Sequence, residues 1–274
     1  MRVATGQTSN FRLLSKRSLL LAALLTLLAG CGVVVEKDRA PVRAGRDDTP
    51  DAVPREEPRS RYGNPESYVV YGKRYYTLKT SHGFKQKGVA SWYGKKFHGR
   101  RTSSGETYDM YQMTAAHKTL PLPTYVEVIN LENNLRTVVK VNDRGPFHDN
   151  RIIDLSYAAA RKLGVVEKGT AMVQVRAVSS PGELSKTRSA STSSKQDASI
   201  YLQIGAFSDR DNAERLRRQV AKVLKQSVRI SSADVSNRSV YRVQVGPIAN
   251  VGGADRVVQV LADIGVYDHH FVSN

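Results

Sequence analysis

Short runs of alternating apolar and polar residues fill the middle of the chain. Asn133-Asn134 is a turn signal between two such runs, so the segment around it predicts a β-hairpin. Four runs predict strands: residues 89–93, 125–129, 137–141 and 173–178. Many short strands with few helices are typical of a small closed barrel, which we place at residues 88–180.

Two helical patterns interrupt these strands. The first covers residues 113–117. The second begins at Asp154 or Ser156, because Asp and Ser are both favoured N-cap residues. It ends at Leu163, because Gly164 is a typical residue just beyond the end of a helix.

The last part of the chain, residues 199–274, contains an internal repeat. The runs 201–205 (YLQIG) and 241–246 (YRVQVG) share one strand pattern. Each is followed by a helical pattern, at 211–225 and 253–264. The two remaining strands are predicted at residues 228–230 and 270–272. The order βαββαβ predicts an antiparallel four-stranded sheet with two helices on one face.

Residues 1–30 have the pattern of a secretory signal peptide. Basic residues precede an apolar run at 18–28, and this run is too short to span a bilayer comfortably. Cys31 follows directly and is the only cysteine, so it cannot form an internal disulfide in an exported protein. The alternative is an incidental cysteine within a transmembrane signal anchor.

Two segments lack apolar periodicity and are predicted to be flexible. Residues 31–87 are rich in charge and proline, which predicts a disordered N-terminal tether with one or two ordered turns near residues 68–78. Residues 181–198 are rich in Ser, Lys and Thr, which is typical of a linker.

The chain is strongly basic. Its formal net charge is +17, and residues 1–30 carry four basic and no acidic residues, which leaves 17 − 4 = +13 for the remainder. This balance indicates an anionic partner such as nucleic acid, anionic lipid or an anionic polymer. Export removes nucleic acid from this list, although the charge could also serve solubility alone. The six histidines show no metal-ligand spacing, so we expect no metal and no cofactor.

Several runs resemble a known family. Residues 88–94, 114–121, 141–147 and 151–156 resemble the double-psi β-barrel of the rare lipoprotein A family, which expansins and one class of lytic transglycosylase share more distantly. Residues 199–274 are similar to a SPOR domain, which binds glycan strands stripped of their stem peptides. Residues 28–31 (LAGC) resemble a bacterial lipobox. The resemblance implies a mainly β domain followed by an α+β domain.

The resemblance also implies an activity and a location. The expected enzyme is an endolytic lytic transglycosylase, a carbon–oxygen lyase that cleaves the MurNAc–GlcNAc β-1,4 bond of naked glycan strands and leaves 1,6-anhydro ends. It would act in wall remodelling and daughter cell separation, without a cofactor and as a monomer. Cys31 would carry the lipid, including palmitate, and face the periplasm. Gly32, which follows the cysteine, resembles the residue found there in lipoproteins of the outer membrane. The family resemblance separately implies enrichment at the division septum.

This reaction needs an acid/base, and four residues are candidates. Asp154 lies in the motif where expansins and the related transglycosylase have a critical Asp, although it could instead cap a helix. Asp143 could be a turn residue in Asn-Asp-Arg-Gly-Pro. Family resemblance implies that Glu106 and His117 are needed for cleavage. Otherwise Glu106 would be a solvated loop residue and His117 a buried core histidine.

Substrate contacts are expected in both domains. In the barrel they are Trp92, Tyr93, Asp109 and Arg144, of which the two aromatic residues could instead belong to the core. In the SPOR-like domain the expected glycan-binding residues are Gln203, Phe207, Tyr241, Arg242 and Gln244. Two other functions remain open: a non-catalytic, expansin-like protein that binds or loosens the wall, and a structural anchor between membrane and wall.

Overall fold

The computed structural model describes residues 49–148, 150–180, 182–183, 199–235 and 238–273. The predicted signal peptide, the predicted lipidation site Cys31 and nearly all of the predicted linker lie outside these residues. Within them, no helix is both long enough and apolar enough to cross a membrane.

A small hairpin precedes the barrel. Its strands are β1 (Ser67–Val70) and β2 (Lys73–Tyr76), which pair antiparallel. The sequence predicted ordered turns in this segment, and the hairpin is the element that forms there.

Six strands then close into a barrel. They are β3 (Lys85–Tyr93), β4 (Thr114–His117), β5 (Thr124–Asn130), β6 (Arg136–Asp143), β7 (Arg151–Ser156) and β8 (Ala171–Ala177). The strand order is β3-β7-β4-β6-β5-β8, and β8 pairs back to β3 to close the ring. The β3–β7 and β4–β6 pairs are parallel, and the others are antiparallel. The predicted barrel is confirmed.

Alternation along the strands fills the barrel interior. Val126 and Val128 of β5, with Val139 and Val141 of β6, are fully buried in one apolar cluster. Burial of each such side chain stabilises the fold by about 1.5–3 kcal/mol relative to exposure. The predicted hairpin over these strands is confirmed, and Asn134 in its turn has a φ of 61°.

Both helix predictions near the barrel need correction. Residues 114–117 form β4 instead of a helix, because they pair with β6 on one side and β7 on the other. The second helix, α1 (Tyr157–Lys162), is capped by Ser156, whose hydroxyl accepts a hydrogen bond from Ala159 N at 3.2 Å. Asp154 lies within β7, so its reading as the helix cap is wrong.

The predicted tether ends much earlier than residue 87. Ala52 N donates to Val138 O at 3.0 Å and Leu78 N donates to Thr119 O at 2.8 Å, so this segment is attached to the barrel. We call residues 49–57 the N-terminal strap. Backbone and polar contacts, which have no periodic signature, hold it in place. The tether prediction is therefore wrong for residues 49–87 apart from the order that it placed near residues 68–78, and its residues 31–48 lie outside the described part of the chain.

The C-terminal domain has the predicted βαββαβ order. Its elements are β9 (Ile200–Phe207), α2 (Arg210–Ala221), β10 (Val228–Val235), β11 (Arg238–Val245), α3 (Val251–Asp263) and β12 (His270–Ser273). The sheet order is β10-β11-β9-β12, with every pair antiparallel. Leu202 and Val243 of the sheet are buried with Ala213 and Val257 of the two helices, which thus cover one face.

Candidate active site

A transverse row of positions crosses four strands of the barrel. Ala116 of β4 pairs with Asp154 of β7 on one side and with Asp143 of β6 on the other. Ser91 of β3 pairs with Asp154 and extends the row. Because neighbouring strands lie about 4.8 Å apart, the two aspartates are about 10 Å apart along the row. The small Ala116 is the only residue between them.

Asp154 has the electrostatic environment of a proton donor. Burial raises the pKa of its carboxyl group, and the hydrogen bond from the Ser91 hydroxyl and the positive charge of Arg151 oppose that rise only in part. A carboxyl group with a raised pKa holds its proton closer to neutral pH, which suits a general acid.

Asp143 anchors the loop that carries Glu106. Its Oδ1 atom accepts hydrogen bonds from Ser103 N at 2.8 Å, Ser103 Oγ at 2.6 Å and Arg144 N at 2.7 Å. The loop turns at Gly105, whose φ of +90° favours glycine. Asp143 therefore positions Glu106.

Glu106 is held by two side chains of β6. Its Oε1 lies 2.9 Å from Lys140 Nζ, and its Oε2 accepts a hydrogen bond from Asn142 Nδ2 at 2.6 Å. Glu106 and both partners line a cavity of about 650 Å³. Asn142 Oδ1, in the wall of this cavity, is buried and has no hydrogen-bond partner among the described residues.

His117 is a buried structural histidine. Its Nδ1 accepts hydrogen bonds from Thr119 N at 3.2 Å and Leu120 N at 3.1 Å, and the side chain is almost fully buried. Burial first, and the nearby charges of Arg144 and Lys118 second, lower its pKa to about 3. The imidazole is therefore neutral at pH 7.

The structure does not bring Glu106 and His117 into one cavity. His117 lines a second cavity, of about 210 Å³, together with Gln86 and Lys118. Glu106 lines the larger one. The two residues that the family resemblance implies for cleavage thus line different cavities.

Comparison with known proteins finds a matching family for each of the two domains. Residues 85–175 match a family model described as lytic transglycolase, and residues 196–273 match a model described as SPOR domain. A relative from Vibrio cholerae serotype O1 is named endolytic peptidoglycan transglycosylase RlpA. It is 42% identical over 261 residues, which cover 91% of this chain and 94% of that relative.

The chain belongs to the RlpA family.

Two further relatives carry the same name. The one from Pseudomonas aeruginosa (strain UCBPP-PA14) is 39% identical over 269 residues, covering 79% of this chain and 77% of the relative. The one from Neisseria meningitidis serogroup A is 45% identical over 201 residues, covering 73% of this chain and 80% of the relative. The barrel is accordingly the double-psi β-barrel of the RlpA family, and the C-terminal domain is a SPOR domain.

Arg144 stabilises this RlpA-family barrel through hydrogen bonds to backbone carbonyl groups. Its guanidinium donates to Gly63 O at 2.9 Å, His117 O at 3.1 Å and Leu120 O at 2.5 Å. These bonds tie the segment before the barrel to the end of β4. With Asn64 Oδ1 as a fourth acceptor, most of the five guanidinium N–H groups of Arg144 have partners within the protein, and its contact with substrate stays a prediction.

The predicted aromatic contacts are divided between core and surface. Tyr93 is buried and stacks on Tyr108 with ring centroids 4.2 Å apart, so it belongs to the core. Trp92 is only partly buried, and its ring lies 5.8 Å from that of Tyr157. Asp109 lines the Glu106 cavity, as predicted for a substrate contact, and its Oδ1 also accepts a hydrogen bond from Tyr111 N at 3.0 Å.

Sequence reasoning missed Ser91, Lys140 and Asn142. Asn142 precedes Asp143 in a motif that was recognised, so its position was a usable signal. Lys140 occupies a polar position of an alternating strand, which normally indicates a solvated face.

In the described part of the chain, no three His, Cys, Asp or Glu side chains are grouped to hold a metal ion.

Three of the five residues predicted in the SPOR sheet lie on the face away from the helices, where Gln203 and Gln244 are buried, with 7% and 6% of their surface exposed. Gln203 pairs with Gln244, and Arg242 pairs with Ala206, so these positions face away from the helices. Arg229 extends this face because it donates to Gln244 Oε1 at 2.9 Å and lies 3.6 Å from the centre of the Tyr201 ring.

Phe207 and Tyr241 lie on the opposite face of the SPOR sheet. They pair with each other and pack against the apolar cluster beneath the helices. A bulge near residue 243 changes the register, which the alternation alone could not reveal. Both rings therefore have a packing role on the helix side of the sheet, and their contact with glycan stays a prediction.

Proposed function

We propose that this chain is an endolytic peptidoglycan transglycosylase of the RlpA family that cleaves glycan strands lacking stem peptides. It breaks the β-1,4 bond between MurNAc and GlcNAc and leaves a 1,6-anhydro end on the muramyl residue. The observation that carries the proposal is the buried Asp154 carboxyl with its raised pKa, in one row of positions with Asp143, which anchors the Glu106 loop.

Asp154 acts as the acid and then as the base. Its carboxyl proton passes to the glycosidic oxygen as the C1–O bond breaks, and the GlcNAc portion leaves as an alcohol. The Asp154 carboxylate then takes the proton of the muramyl C6 hydroxyl as O6 bonds to C1. The substrate supplies the attacking oxygen, so the reaction consumes no water. The space that an inverting glycosidase reserves for water is unnecessary.

Glu106 and Asn142 bind the glycan in the larger cavity. Ligand cavities usually measure about 300–1,000 Å³, and this one of about 650 Å³ falls within that range. The Glu106 side chain, 44% of which is exposed, would accept hydrogen bonds from sugar hydroxyls there.

His117 and Asp143 support the site without touching the substrate. His117 fixes the turn after β4 through Thr119 N and Leu120 N, and Asp143 fixes the loop that ends at Glu106. Both residues are then necessary for activity because they position other parts of the site.

The remaining parts of the proposal concern location. The chain works in the cell envelope, in contact with peptidoglycan, and the SPOR residues Gln203, Arg242 and Gln244 bind denuded glycan. A lipid on Cys31 anchors the chain in the outer membrane, and glycan binding enriches it at the division septum. The mature charge of +13 favours the anionic wall.

The activity is tested on sacculi pretreated with an amidase that removes stem peptides. Soluble products with 1,6-anhydro ends, detected by mass spectrometry, are the expected result, and untreated sacculi should yield far less. Absence of product together with retained pelleting on the same sacculi would support an expansin-like binder instead.

Location is tested separately with fluorescent fusions. Deletion of residues 199–274 should reduce septal enrichment, and a Cys31→Ser variant should lose the membrane anchor. Unchanged septal signal after the deletion would contradict the targeting role of the SPOR domain.

A further inference from the structure

The N-terminal strap lies outside the family match but is bound to the barrel. The family model begins at residue 85, whereas the strap covers residues 49–57. Asp51 Oδ1 accepts hydrogen bonds from Thr137 Oγ1 at 2.6 Å and from Lys162 Nζ at 2.6 Å. The strap is thereby fixed at both β6 and α1.

The strap forms one wall of the Glu106 cavity. Six strap residues contribute to its lining: Thr49, Pro50, Asp51, Ala52, Val53 and Arg55. The opposite wall consists of the loop with Glu106 and of β6. Without the strap, this cavity would be an open surface.

Glu57, at the end of the strap, shares a lysine with Glu106. Lys140 Nζ lies 3.0 Å from Glu57 Oε2 and 2.9 Å from Glu106 Oε1. Lys140 is largely buried, with 16% of its side chain exposed, and Glu57 has 21% exposed. Lys140 thus lies between two carboxylates, of which Glu57 is the better buried, since 44% of the Glu106 side chain is exposed.

Glu57 itself is firmly held as a carboxylate. Burial would raise its pKa, but hydrogen bonds from Tyr125, Arg55 and Lys140 outweigh that effect and lower it to about 2. Glu57 therefore carries its negative charge throughout the neutral pH range, and it fixes Lys140 from the side opposite Glu106.

This arrangement has a mechanical consequence for Glu106. Lysine is a point charge on a flexible four-carbon chain, so a single carboxylate partner would leave it free to move together with that partner. Glu57 prevents this by holding Lys140 on a fixed strap. Glu106 is then held by Lys140 on one oxygen and by Asn142 on the other. Such support of a functional side chain determines how well it is preorganised.

We infer that Glu57 is a positioning residue of the active site that acts through Lys140 to hold Glu106, and that the strap is an integral wall of that site. This inference rests on the proposed role of Glu106 in glycan binding. It extends the catalytic unit upstream of the segment that the family model covers.

The test uses the full chain and a Glu57→Gln variant, which removes the charge and keeps the size. We expect the rate of anhydro-product release at low sacculus concentration to fall roughly 10- to 100-fold, since a displacement of about 1 Å can cost 10²-fold. The matched control is Glu56→Gln, which makes the same change at the exposed neighbouring residue and should leave the rate unchanged.

A double-mutant cycle separates positioning from simple strap attachment. In a Lys140→Met background, Glu57→Gln should lower the rate by less than about twofold, because the two residues act as one unit. Hydrogen exchange at Ala52 N, which donates to Val138 O, reports whether the strap stays attached.

Three results would overturn the inference. They are a Glu57→Gln variant with the wild-type rate, a full additional loss in the Lys140→Met background, and an equal loss in Glu56→Gln. Failure of the proposed function gives a different pattern, in which the wild-type chain releases no anhydro product or Glu106→Gln keeps full activity.

Discussion

Ser91 and Asp154 lie opposite each other on the parallel strands β3 and β7, and the Ser91 hydroxyl donates a hydrogen bond to the Asp154 carboxylate. The contact joins two residues that are far apart in sequence, and it orients a carboxyl group whose burial raises its pKa. The pairing register of the barrel strands thus fixes the Asp154 carboxyl group, which is proposed to carry out both proton transfers.

Asp154→Asn is expected to abolish most of the activity. Loss of a general acid/base typically costs about 10²- to 10⁴-fold in rate, and the variant keeps the acceptor for Ser91. Release of anhydro product from amidase-treated sacculi measures the effect, with Ser91→Ala as a control that should lose much less. Full activity of Asp154→Asn would remove this residue as the acid/base.

The same variant should gain stability at neutral pH. The folded pKa of Asp154 is raised above its ordinary value of 3.8, so its protonated form stabilises the fold at low pH. That contribution is lost as the pH rises through the folded pKa. Denaturant titrations should therefore show Asp154→Asn to be more stable than the wild type at pH 7, with a smaller difference below about pH 4. A difference that does not change with pH would contradict the raised pKa.

His117 should make the fold sensitive to acid. Its pKa of about 3 lies below the ordinary 6.5, so the unfolded chain takes up a proton first and stability falls as the pH drops from 6.5 towards 3. The total effect is up to about 5 kcal/mol, because each pKa unit corresponds to about 1.4 kcal/mol. Denaturant titrations at pH 7 and pH 5 should show this slope.

Substitution of His117 distinguishes its acceptor role from a catalytic one. His117→Asn can still accept from Thr119 N and Leu120 N and should keep much of the activity, with a flatter dependence of stability on pH. His117→Ala should lose both stability and activity. Complete inactivity of a stably folded His117→Asn variant would indicate direct catalysis by the imidazole.

Asp143→Ala should loosen the Glu106 loop. The substitution removes three hydrogen bonds, from Ser103 N, Ser103 Oγ and Arg144 N, of which only Arg144 N keeps a second acceptor, Ser103 Oγ, and it should cost about 1–3 kcal/mol in stability. Hydrogen exchange over residues 102–106 should increase, and product release should decrease. Ser103→Ala removes only one of the three bonds and should produce a smaller change in both readouts.

The two faces of the SPOR sheet should respond differently to substitution. Arg242→Ala on the open face should weaken pelleting with amidase-treated sacculi by about tenfold, which corresponds to about 1.4 kcal/mol, while the melting temperature stays unchanged. Phe207→Ala removes a ring that packs beneath the helices and should lower the melting temperature instead. A reversed pattern would place glycan binding on the helix side.

The barrel and the SPOR domain could be predicted because their signals are periodic. Val126, Val128, Val139 and Val141 alternate with polar residues, and this spacing specifies both the hairpin and its buried face. The repeated strand-helix pattern of the SPOR domain is equally local. The residues that line the open face were found only in part, because the bulge near residue 243 is invisible to simple alternation.

Other features depend on distant contacts and could not be predicted. Ala115 and Ala116 favour a helix on local grounds, but pairing with β6 and β7 makes them a strand. The transition at the end of β7 shows the same effect, because only the strand pairing excludes Asp154 as the helix cap and leaves Ser156 in that role.

The strap is the clearest case of such distant contacts. It is attached through Ala52 N, the Asp51 carboxylate and the Glu57 carboxylate, which bond to residues about 80 or more positions away. Charged, proline-containing sequence of this kind resembles disordered chain in composition. Only its contacts with atoms of β6 and α1 distinguish the strap from a disordered segment.

Attachment of the strap also sets how many residues separate the proposed membrane anchor from the first residue that is bound to the barrel. With the lipid proposed at Cys31, the distance along the chain to the first strap residue is 49 − 31 = 18 residues, whereas a tether running to the barrel at residue 88 would contain 88 − 31 = 57. An extended chain covers at most about 3.5 Å per residue, so the reach falls from about 200 Å to about 60 Å. With the proposed activity and anchor, the strap would restrict cleavage to glycan within a thin zone next to the anchoring membrane.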